Sequence, residues 1–464
     1  KYAGAYVKEP IPGKYDWVVS FDLNSLYPHL IMQYNISPET LREVRHPAAT
    51  VDKILNQELD IDPNYATCAN GSMYRKDVHG FLPEMMQKIY DERVQSKKLM
   101  LIAKQEYEKT PTKEIEKAIS KYNNIQMARK IQLNSAYGAI GNQYFRYYDL
   151  RNAEAITLSG QVSIRWIENR MNGYLNKLLQ TDGEDYVIAS DTDSIYLNLG
   201  PLVSKFLSAK SGDKTAIVEL LDKICKEKLE PFIQSSYEEL ANYVAAYDQK
   251  MIMKRENIAD RGIWTAKKRY ILNVWDSEGV RYKEPKLKMM GIEAVKSSTP
   301  APCRSAIKQA LTIMMTKTEE DLISFIDRFK DEFDSLPPED IAFPRSVNGL
   351  SKFKAHGTVY SKGCPIHVRG TLLYNFHVAQ RKLEYKYPLV QEGEKIKFLY
   401  LRRPNKIGEN VISFLNTFPR ELDLEKSVDR DAQFKKAFLD PLHIITDVIG
   451  WKTEKVSNLE FLFA

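Results

Sequence analysis

Two aspartates separated by one residue stand between two short apolar runs, and this pattern constrains the fold more than any other stretch of the chain. The stretch reads Tyr186-Val187-Ile188-Ala189-Ser190-Asp191-Thr192-Asp193-Ser194-Ile195-Tyr196-Leu197. Apolar, β-branched and aromatic residues on both sides of a polar crest predict a β-hairpin. Because residues i and i+2 of an extended chain point to the same face, we expect Asp191 and Asp193 to present their carboxylates together.

Two adjacent carboxylates repel each other, and each raises the pKa of the other unless a cation lies between them. Carboxylate oxygens are hard ligands that suit Mg²⁺, so this pair is a candidate metal site. A solvated Asp-Thr-Asp turn has the same spacing, since Asp is a common turn residue. The hairpin therefore needs support from other parts of the chain.

The composition is that of a globular protein. With 464 residues, 43% of them hydrophobic, the chain is long enough for about three packed domains. A net charge of +6 allows a polyanionic partner but does not require one. The cysteines, Cys68, Cys225, Cys303 and Cys364, form no Cys-x-x-Cys pair, which argues against zinc and iron–sulfur sites. Without a signal-peptide pattern or an apolar run of about 18 residues, we expect a cytoplasmic protein with no membrane association.

A second acidic candidate follows a short buried strand. The run Trp17-Val18-Val19-Ser20-Phe21 is almost continuously apolar and predicts a buried strand that ends on Asp22. A carboxylate at the end of a buried strand is a typical active-site position. Asp22 could equally be a helix N-cap, since Asp is a good N-cap residue.

Two charged helices are predicted from Phe81 to Tyr107 and from Thr112 to Gly138, with Pro111 in the break between them. A short polar connection between two helices predicts an antiparallel hairpin.

Each helix of this hairpin carries one polar stripe. Arg93 and Lys97 are i and i+4 on the first helix, and Lys130, Asn134 and Tyr137 are i, i+4 and i+7 on the second. Facing stripes with three cations would form a pocket for a polyphosphate. Charged helix faces are more often simply solvated, so this reading stays open at this point.

Basic and aromatic residues alternate on the strands predicted after the Asp191/Asp193 hairpin. One strand, residues 250–256, brings Glu256, a second spans residues 264–275, and a third, residues 285–291, carries Lys286. The second strand begins with a basic cluster, Lys267, Lys268, Arg269 and Tyr270. Cations interleaved with aromatics on strands predict contacts with a nucleic-acid backbone.

A Pro-rich stretch, Ser297 to Pro302, predicts a domain boundary. Beyond it we expect one or two helices over residues 304–333, followed by Pro-broken loops and short strands such as residues 395–402.

Three separate signals now point to one kind of site: Asp22, the helix from Lys130 to Gly138, and the Asp191/Asp193 hairpin. Together they closely resemble the motifs of family B DNA polymerases. The first motif reads Asp22-Leu23-Asn24-Ser25-Leu26-Tyr27-Pro28. Four further segments extend the resemblance over essentially the whole chain and make it closest to the replicative polymerases of T-even-like phages. They are Phe145-Arg146-Tyr147-Tyr148-Asp149-Leu150-Arg151-Asn152-Ala153, Lys267-Lys268-Arg269-Tyr270, Lys296-Ser297-Ser298-Thr299-Pro300 and Cys364-Pro365-x-His367-x-Arg369-Gly370.

The resemblance implies an α+β fold with the right-hand architecture of polymerases. The palm would be an antiparallel sheet built from residues 1–80 and 139–299, and the fingers a two-helix hairpin over residues 81–138. The thumb, residues 300–464, would be mixed and mainly helical, with a C-terminal tail.

The resemblance also implies a template-directed DNA polymerase that adds deoxynucleotides to a primer 3′-hydroxyl with two Mg²⁺ ions. Asp22, Asp191 and Asp193 would be the catalytic acids. Asp22 and Asp193 would bridge the ions, with the Leu23 carbonyl as a further ligand, and Asp191 would be a less regular ligand. Glu256 would be an auxiliary acid.

The substrate contacts carried over from the family fall into two sets. The residues expected to bind the incoming dNTP are Ser25, Leu26, Tyr27, Arg93, Lys97, Lys130 and Asn134. The residues expected to contact primer–template DNA are Tyr137, Gly138, Lys267, Lys268, Arg269, Tyr270 and Lys286. We expect the Tyr27 ring to lie under the deoxyribose, where a 2′-hydroxyl would collide with it.

Further partners are expected at the two ends of the chain. Leu459 and Phe463 resemble the sliding-clamp-binding tail of phage polymerases, and apolar anchors at i and i+4 suit a helical turn in a groove. Family members carry a 3′–5′ exonuclease before the palm, and no such motif precedes Asp22. Because the chain begins with Lys1, we expect it to be a polymerase portion lacking this domain, with the exonuclease either upstream or on a separate subunit.

Two alternative functions remain at this stage. One is a protein-primed family B polymerase, and the other is a catalytically weak polymerase-like module that binds DNA. The expected location is the cytoplasm of a phage-infected bacterial cell.

Overall fold

The computed structural model describes residues 2–206, 212–355 and 357–454. These ranges form a mixed fold of helices and antiparallel sheets, as predicted at the level of fold class. The chain divides into two compact units. The first unit is Lys1–Lys268 with Leu272–Lys288, and the second is Arg269–Ile271 with Met289–Ala464.

The division after Lys288 lies upstream of the Pro-rich stretch that was predicted to be the boundary. The assignment of residues to palm, fingers and thumb stays a prediction.

The part of the chain up to residue 290 contains eight strands within the described ranges. They are β1 (Gly13–Leu23), β2 (Tyr65–Thr67), β3 (Met73–Arg75), β4 (Val187–Asp191), β5 (Ser194–Asn198), β6 (Met253–Ala266), β7 (Arg269–Ser277) and β8 (Val280–Met290). Six of them form one sheet in the order β4-β5-β1-β6-β7-β8, and β2 pairs with β3. The pairs β4–β5, β5–β1 and β1–β6 are antiparallel.

The helices of the first unit are α1 (Leu26–Tyr34), α2 (Val51–Leu55), α3 (Phe81–Lys109), α4 (Lys113–Ile140), α5 (Leu150–Leu179), α6 (Gly200–Phe206), α7 (Lys214–Ile224) and α8 (Glu230–Tyr243). A π-helical turn, Cys225–Leu229, joins α7 to α8, so these two helices form one continuous element.

β1 is central in the large sheet because its second half is apolar and can be buried. Val18, Val19, Phe21 and Leu23 are all at most 1% exposed. The strand begins earlier than predicted, at Gly13, and it extends through Asp22 to Leu23.

The long helix α5 supplies much of the core that holds this strand. From its sequence, the stretch from Tyr144 to Leu178 is predicted to be helical with Ile156, Ile164, Ile167 and Met171 in the core, and all four are fully buried. They recur at helical spacing, so one face of α5 can pack on the body of the unit.

The helix pair α3 and α4 confirms the predicted helical hairpin. Both helices extend about two residues beyond the predicted ends. Pro111 lies in the connection, and the Thr112 side chain caps α4 by accepting a hydrogen bond of 3.2 Å from the Ile115 amide. The two helices pack along their length and carry the polar stripes toward α1.

One strand prediction was wrong. Residues 264–275 are not a single strand, because Lys267 and Lys268 form the turn of a β6–β7 hairpin. Lys268 adopts a left-handed backbone conformation with φ of 58°, which ends the extended chain there. The basic cluster therefore lies at a hairpin turn and at the start of β7.

The second unit contains seven further helices and three strands in its described part. They are α9 (Ala301–Thr316), α10 (Glu319–Ser335), α11 (Pro338–Ile341), β9 (Phe343–Ser346), α12 (Leu350–Phe353), α13 (Ile366–Gln380), β10 (Lys395–Tyr400), β11 (Val411–Phe414), α14 (Arg430–Phe434) and α15 (Asp440–Ile449). The three strands form an antiparallel sheet with β10 in the centre.

The predicted helical stretch over residues 304–333 is two helices. Thr318 and Asp321 form a capping box that starts α10, since each side chain bonds the backbone amide of the other. A cluster of aromatic rings, Phe329, Phe333 and Phe434 among them, packs between α10 and α14.

Candidate active site

The strand register brings Asp22 next to Asp193. Asp22 of β1 pairs with Ser194, the first residue of β5. The Leu23 amide donates a hydrogen bond of 2.8 Å to the carbonyl oxygen of Asp193. The end of β1 is therefore tied to the β4–β5 turn, and two acids that are 171 positions apart in sequence become neighbours.

The β4–β5 hairpin confirms the predicted element, but its turn changes the relation between the two crest acids. Thr192 has φ of 59°, and the Asp193 amide donates to the Asp191 carbonyl at 2.6 Å. Positive φ is unusual for a β-branched residue. The expectation that Asp191 and Asp193 present their carboxylates together assumed an extended chain. That assumption was wrong, because the chain is not extended across Thr192.

The Asp191 carboxylate has a different neighbour. Its Oδ1 lies 3.2 Å from the Lys268 Nζ and accepts a hydrogen bond of 3.1 Å from the Thr192 hydroxyl. Asp193, in contrast, lines a cavity together with Asp22. The two crest acids are thus in different surroundings.

Burial raises the pKa of both Asp22 and Asp193. For Asp22 the second cause is the negative charge of Asp193, and for Asp193 the charge of Asp191 also acts upward. Nearby Lys97 and Lys130 act in the opposite direction on Asp22 and Asp193, respectively. Two partly buried acids with raised pKa values, lining one cavity, form an arrangement that a divalent cation would stabilise.

Glu256 lies on β6, close enough for its charge to raise the pKa of both acids. Its own carboxylate is held by Lys288, with Oε1 3.0 Å from Nζ, and its Oε2 accepts a long hydrogen bond of 3.4 Å from Ser20. Among the described residues, no group of three or more His, Cys, Asp or Glu side chains is arranged to hold a metal ion. Asp191 and Glu256, the other two acids predicted for the site, each have a lysine and a hydroxyl group as partners.

A cavity of about 340 Å³ opens above these two acids. It is bounded by residues from β1, α1, α3, α4 and the β4–β5 turn. Its lining consists of Asp22, Asn24, Ser25, Leu26, Tyr27, Arg93, Lys97, Lys130, Asn134, Tyr137, Thr192 and Asp193. Every residue predicted to bind a nucleotide is in this set, as are two of the three predicted catalytic acids.

The cations of this cavity come from the two long helices. Arg93 donates hydrogen bonds to the Ser25 hydroxyl at 2.5 Å and to Gln126 at 3.4 Å, and burial lowers its pKa. Lys97 forms an ion pair with Glu278. The structure therefore confirms that the two polar stripes face one cavity.

Tyr27 and Tyr137 form one wall of the cavity. Their ring centroids are 4.6 Å apart, and the Tyr137 hydroxyl is 2.9 Å from that of Tyr2. Helix α5 also approaches Tyr27, at Gly160. A Cβ added to Gly160 would lie 3.4 Å from Cε1 of Tyr27, which is ordinary van der Waals contact. The Tyr27 ring thus has Tyr137 and α5 as neighbours.

The residues predicted to contact DNA are spread over several elements. Gly138 is exposed on α4, next to Tyr137. Lys267 is 3.1 Å from Glu9, Lys268 pairs with Asp191, and Lys286 pairs with Glu108.

The remaining two members of that set are in the second unit. Arg269 pairs with Glu293 at 3.0 Å, and the Tyr270 side chain is buried. The basic side chains of the set therefore have acidic partners in this structure.

Sequence reasoning missed three residues of the site. Asn24 and Thr192 line the cavity, and neither was predicted to be a site residue. Both belong to the recognised motifs, which was the signal that could have identified them. Glu278, which holds Lys97, gave no signal at all, because an acid in a tight turn is ordinarily solvent-exposed.

Comparison with known proteins bears on this site. Residues 1–216 match the sequence profile of DNA polymerase family B. Over the whole of this chain, the DNA-directed DNA polymerase of Escherichia phage RB69 is 37% identical, and that of Enterobacteria phage T4 is 34% identical. Residues 1–216 of this chain are thus similar to the family B DNA polymerases. At lower identity, the DNA polymerase of Thermococcus gorgonarius is 25% identical over 89% of this chain.

The chain spans 57% of the length of each phage polymerase and 43% of the Thermococcus enzyme. The matched family B region includes Asp22, both helices of the α3–α4 hairpin and the β4–β5 hairpin.

No helix in the described ranges is long and apolar enough to cross a membrane. The predicted clamp-binding residues, Leu459 and Phe463, lie outside the described residues and stay predictions.

Proposed function

We propose that this chain is the polymerase portion of a template-directed DNA polymerase that extends a primer 3′-hydroxyl with dNTPs. The proposal depends on one observation. Asp22 and Asp193 line the same cavity, and three cations from the two long helices line it as well. An acidic floor and a basic wall suit a triphosphate whose metal ions are held by the acids. The similarity to the RB69 and T4 polymerases supports the same function.

The donor set fits divalent cations. Asp22 and Asp193 are partly buried and line one cavity, and burial raises the pKa of each, which disfavours its charged form when no cation is bound. These two acids, with the Leu23 carbonyl and Asp191 as further ligands, would hold two Mg²⁺ ions. When bound, the ions would make the primer 3′-hydroxyl more acidic and neutralise the charge of the β- and γ-phosphates. Glu256 would contribute negative charge nearby without binding the ions directly.

The nucleotide would be held by side chains from three elements. Arg93, Lys97 and Lys130 would bind the phosphates, and Asn134 would lie beside them. Because these groups are carried by two helices packed against each other, they would orient the triphosphate before reaction.

The sugar would lie against the first motif. Ser25 and Leu26 would border the triphosphate, and the Tyr27 ring would lie beneath the deoxyribose. Contacts of Tyr27 with Tyr137 and with α5 would keep the ring from yielding to a 2′-hydroxyl.

Primer–template DNA would contact a second group of residues. Tyr137 and Gly138 are next to the cavity, and the exposed parts of Lys267, Lys268 and Lys286 offer positive charge for phosphates. Arg269 and Tyr270 would contribute from the start of β7. Phosphate contacts of this kind would position the duplex without reading its sequence.

In this proposal the chain has the polymerase hand: palm residues 1–80 and 139–299, fingers 81–138, and thumb 300–464. The antiparallel sheet that carries Asp22 and the α3–α4 hairpin support the first two assignments. The proposal has three further parts. A sliding clamp would bind at Leu459 and Phe463, and a 3′–5′ exonuclease would be carried by another segment or subunit. The enzyme would act in the cytoplasm of a phage-infected cell.

Primer extension with Mg²⁺ tests the function. We expect the wild-type chain to extend a primer and Asp193→Ala to lose roughly 10²–10³-fold or more in rate, because it removes charge stabilisation at the reacting phosphate. Asp182→Ala, which changes an exposed acid before β4, is the matched control and should leave the rate unchanged. Equal extension by wild type and Asp193→Ala would reject the enzyme and leave only a DNA-binding module.

A further inference from the structure

Lys97 differs from the other two cations of the cavity in having an acidic partner. The Lys97 ammonium is paired with the Glu278 carboxylate, and both side chains are about one-third exposed. Arg93 bonds only neutral groups among the described residues, the Ser25 hydroxyl and the Gln126 amide oxygen. The Lys130 ammonium has no hydrogen-bond or ion-pair partner within the same described ranges. A phosphate that approaches Lys97 must therefore compete with Glu278.

Glu278 is held in a well-anchored turn. With Gly279 it forms the two-residue connection between β7 and β8, with φ of 51° and 88°. The Glu278 amide donates a hydrogen bond of 2.6 Å to the Glu256 carbonyl, and the Gly279 amide donates one of 3.0 Å to Asp276 Oδ1. These two hydrogen bonds fix the backbone of the turn. The Glu278 side chain takes no part in them and pairs with Lys97.

The acid that anchors this turn is itself part of a buried ion-pair network. Asp276 is 1% exposed and is held by Arg255 and by Arg281, whose Nε lies 2.8 Å from Asp276 Oδ2. Removing one member of such a network is costly, because it leaves a buried charge without its partner. The position of Glu278 is accordingly set by the sheet rather than by its contact with Lys97.

Two further contacts accompany that of Glu278 between the described residues of helix α3 and the β7–β8 hairpin. Gln105 Oε1 accepts a hydrogen bond of 3.1 Å from the Arg281 amide, and Glu108 forms an ion pair with Lys286. Residues 97, 105 and 108 lie on one face of the helix. Of the three, only Lys97 also lines the cavity, so its contact joins the hairpin to the candidate nucleotide site.

We propose that Glu278 is an electrostatic competitor of the incoming nucleotide: it holds Lys97 in the empty site, gives it up to a triphosphate, and so sets the nucleotide affinity. The inference rests on the proposed function, which gives Lys97 to the triphosphate. A partly exposed ion pair is weak, and a triphosphate carries several negative charges, so the exchange favours the nucleotide. Glu278 is a positioning residue here, since it acts through Lys97 and does not touch the cavity.

The test is the binding of a complementary dNTP to the full chain on a primer–template whose primer ends in a dideoxynucleotide. Glu278→Gln keeps the size of the side chain and removes its charge. We expect its Kd for dNTP to fall about two- to five-fold, the range of a weak ion pair. With an extendable primer, KM should fall without an equal fall in kcat. Glu108→Gln removes an acid from the same helix–hairpin contact outside the cavity and should leave Kd unchanged.

A Lys97→Met background separates competition from a general effect of charge. In this background Glu278→Gln should change Kd much less, because the ion pair through which Glu278 competes is gone and only the weaker effect of its charge on Arg93 and Asp22 remains. An unchanged or raised Kd for Glu278→Gln, or an equal fall in the Lys97→Met background, would overturn the inference.

The outcomes also separate this inference from the proposed function. If wild type extends primers but Glu278→Gln leaves Kd unchanged, competition by Glu278 fails and the polymerase proposal stands. If the expected pattern of Kd values is found without primer extension, the catalytic proposal fails alone. If no variant and no wild-type chain binds dNTP, both are rejected.

Discussion

The amide of Leu23 donates a hydrogen bond of 2.8 Å to the carbonyl oxygen of Asp193, and this bond joins β1 to the β4–β5 turn. The residue before Leu23 is Asp22, so the bond fixes the backbones that carry both cavity acids. Because Asp22 also pairs with Ser194 in the strand register, neither acid can move away without breaking sheet hydrogen bonds. The proximity of the two acids is thus built into the sheet.

This forced proximity predicts a characteristic pH dependence of stability. Burial and the charge of Asp193 raise the pKa of Asp22 to about 8, whereas an unfolded aspartate titrates near pH 4. Between these values the folded chain binds more protons than the unfolded chain, so the free energy of unfolding falls as the pH rises through that window. Thermal melts of the metal-free chain should show this fall, and Asp22→Asn should flatten it.

The same melts test metal binding. At pH 8, Mg²⁺ should raise the melting temperature of wild type, since it relieves the repulsion between the two acids and binds only the folded site. Asp22→Asn should lose this gain, and the exposed control Asp182→Asn should keep it. A Mg²⁺ effect of the same size in Asp22→Asn would mean that the ion binds elsewhere.

Tyr27 is expected to exclude ribonucleotides. Its ring contacts Tyr137 and lies near Gly160 of α5, and replacing it with Ala would open space beneath the sugar. Tyr27→Ala should raise the efficiency of ribonucleotide incorporation relative to deoxynucleotide by roughly 10–100-fold, the range for removal of a steric contact in a binding pocket. Single-nucleotide extension assays measure this ratio. Tyr385→Ala, at a site 84% exposed, is the control, and an unchanged ratio in Tyr27→Ala would rule out the steric role.

Lys268 is expected to contribute one charge contact with the DNA backbone. Its side chain is 59% exposed at the β6–β7 turn and is paired with Asp191. Lys268→Ala should lower the slope of log K against log salt by about one unit and weaken binding to all sequences alike. Fluorescence anisotropy at several salt concentrations gives the slope. Lys223→Ala, an exposed lysine on α7, should leave it unaltered, and an unaltered slope for Lys268→Ala would remove this residue from the DNA contact surface.

The C-terminal tail is expected to serve a sliding clamp. Deleting residues 457–464 removes Leu459 and Phe463 and should abolish clamp-stimulated processivity while basal extension persists. The double substitution Leu459→Ala and Phe463→Ala should have the same effect, which shows that the two apolar anchors are responsible. Processive synthesis by both variants in the presence of the clamp would contradict the prediction.

The sequence determined the elements that carry the site. Local patterns were sufficient for the apolar strand ending at Asp22, the hairpin around Asp191 and Asp193, and the two helices with their polar stripes, because each depends on neighbours within one or two turns or strands. The spacing of Arg93 and Lys97 likewise fixed which side chains share a helix face. The family motifs then indicated that these separate elements belong to one site.

Only the tertiary structure decided which acids meet and which cations are already engaged. The β1–β5 register pairs Asp22 with the Asp193 turn, and the left-handed Thr192 turns Asp191 toward Lys268 instead. Glu278 reaches Lys97 from a hairpin 181 positions away in sequence. Such long-range pairs follow from sheet register and from the packing of α3 on β8, and no local pattern in the sequence encodes them.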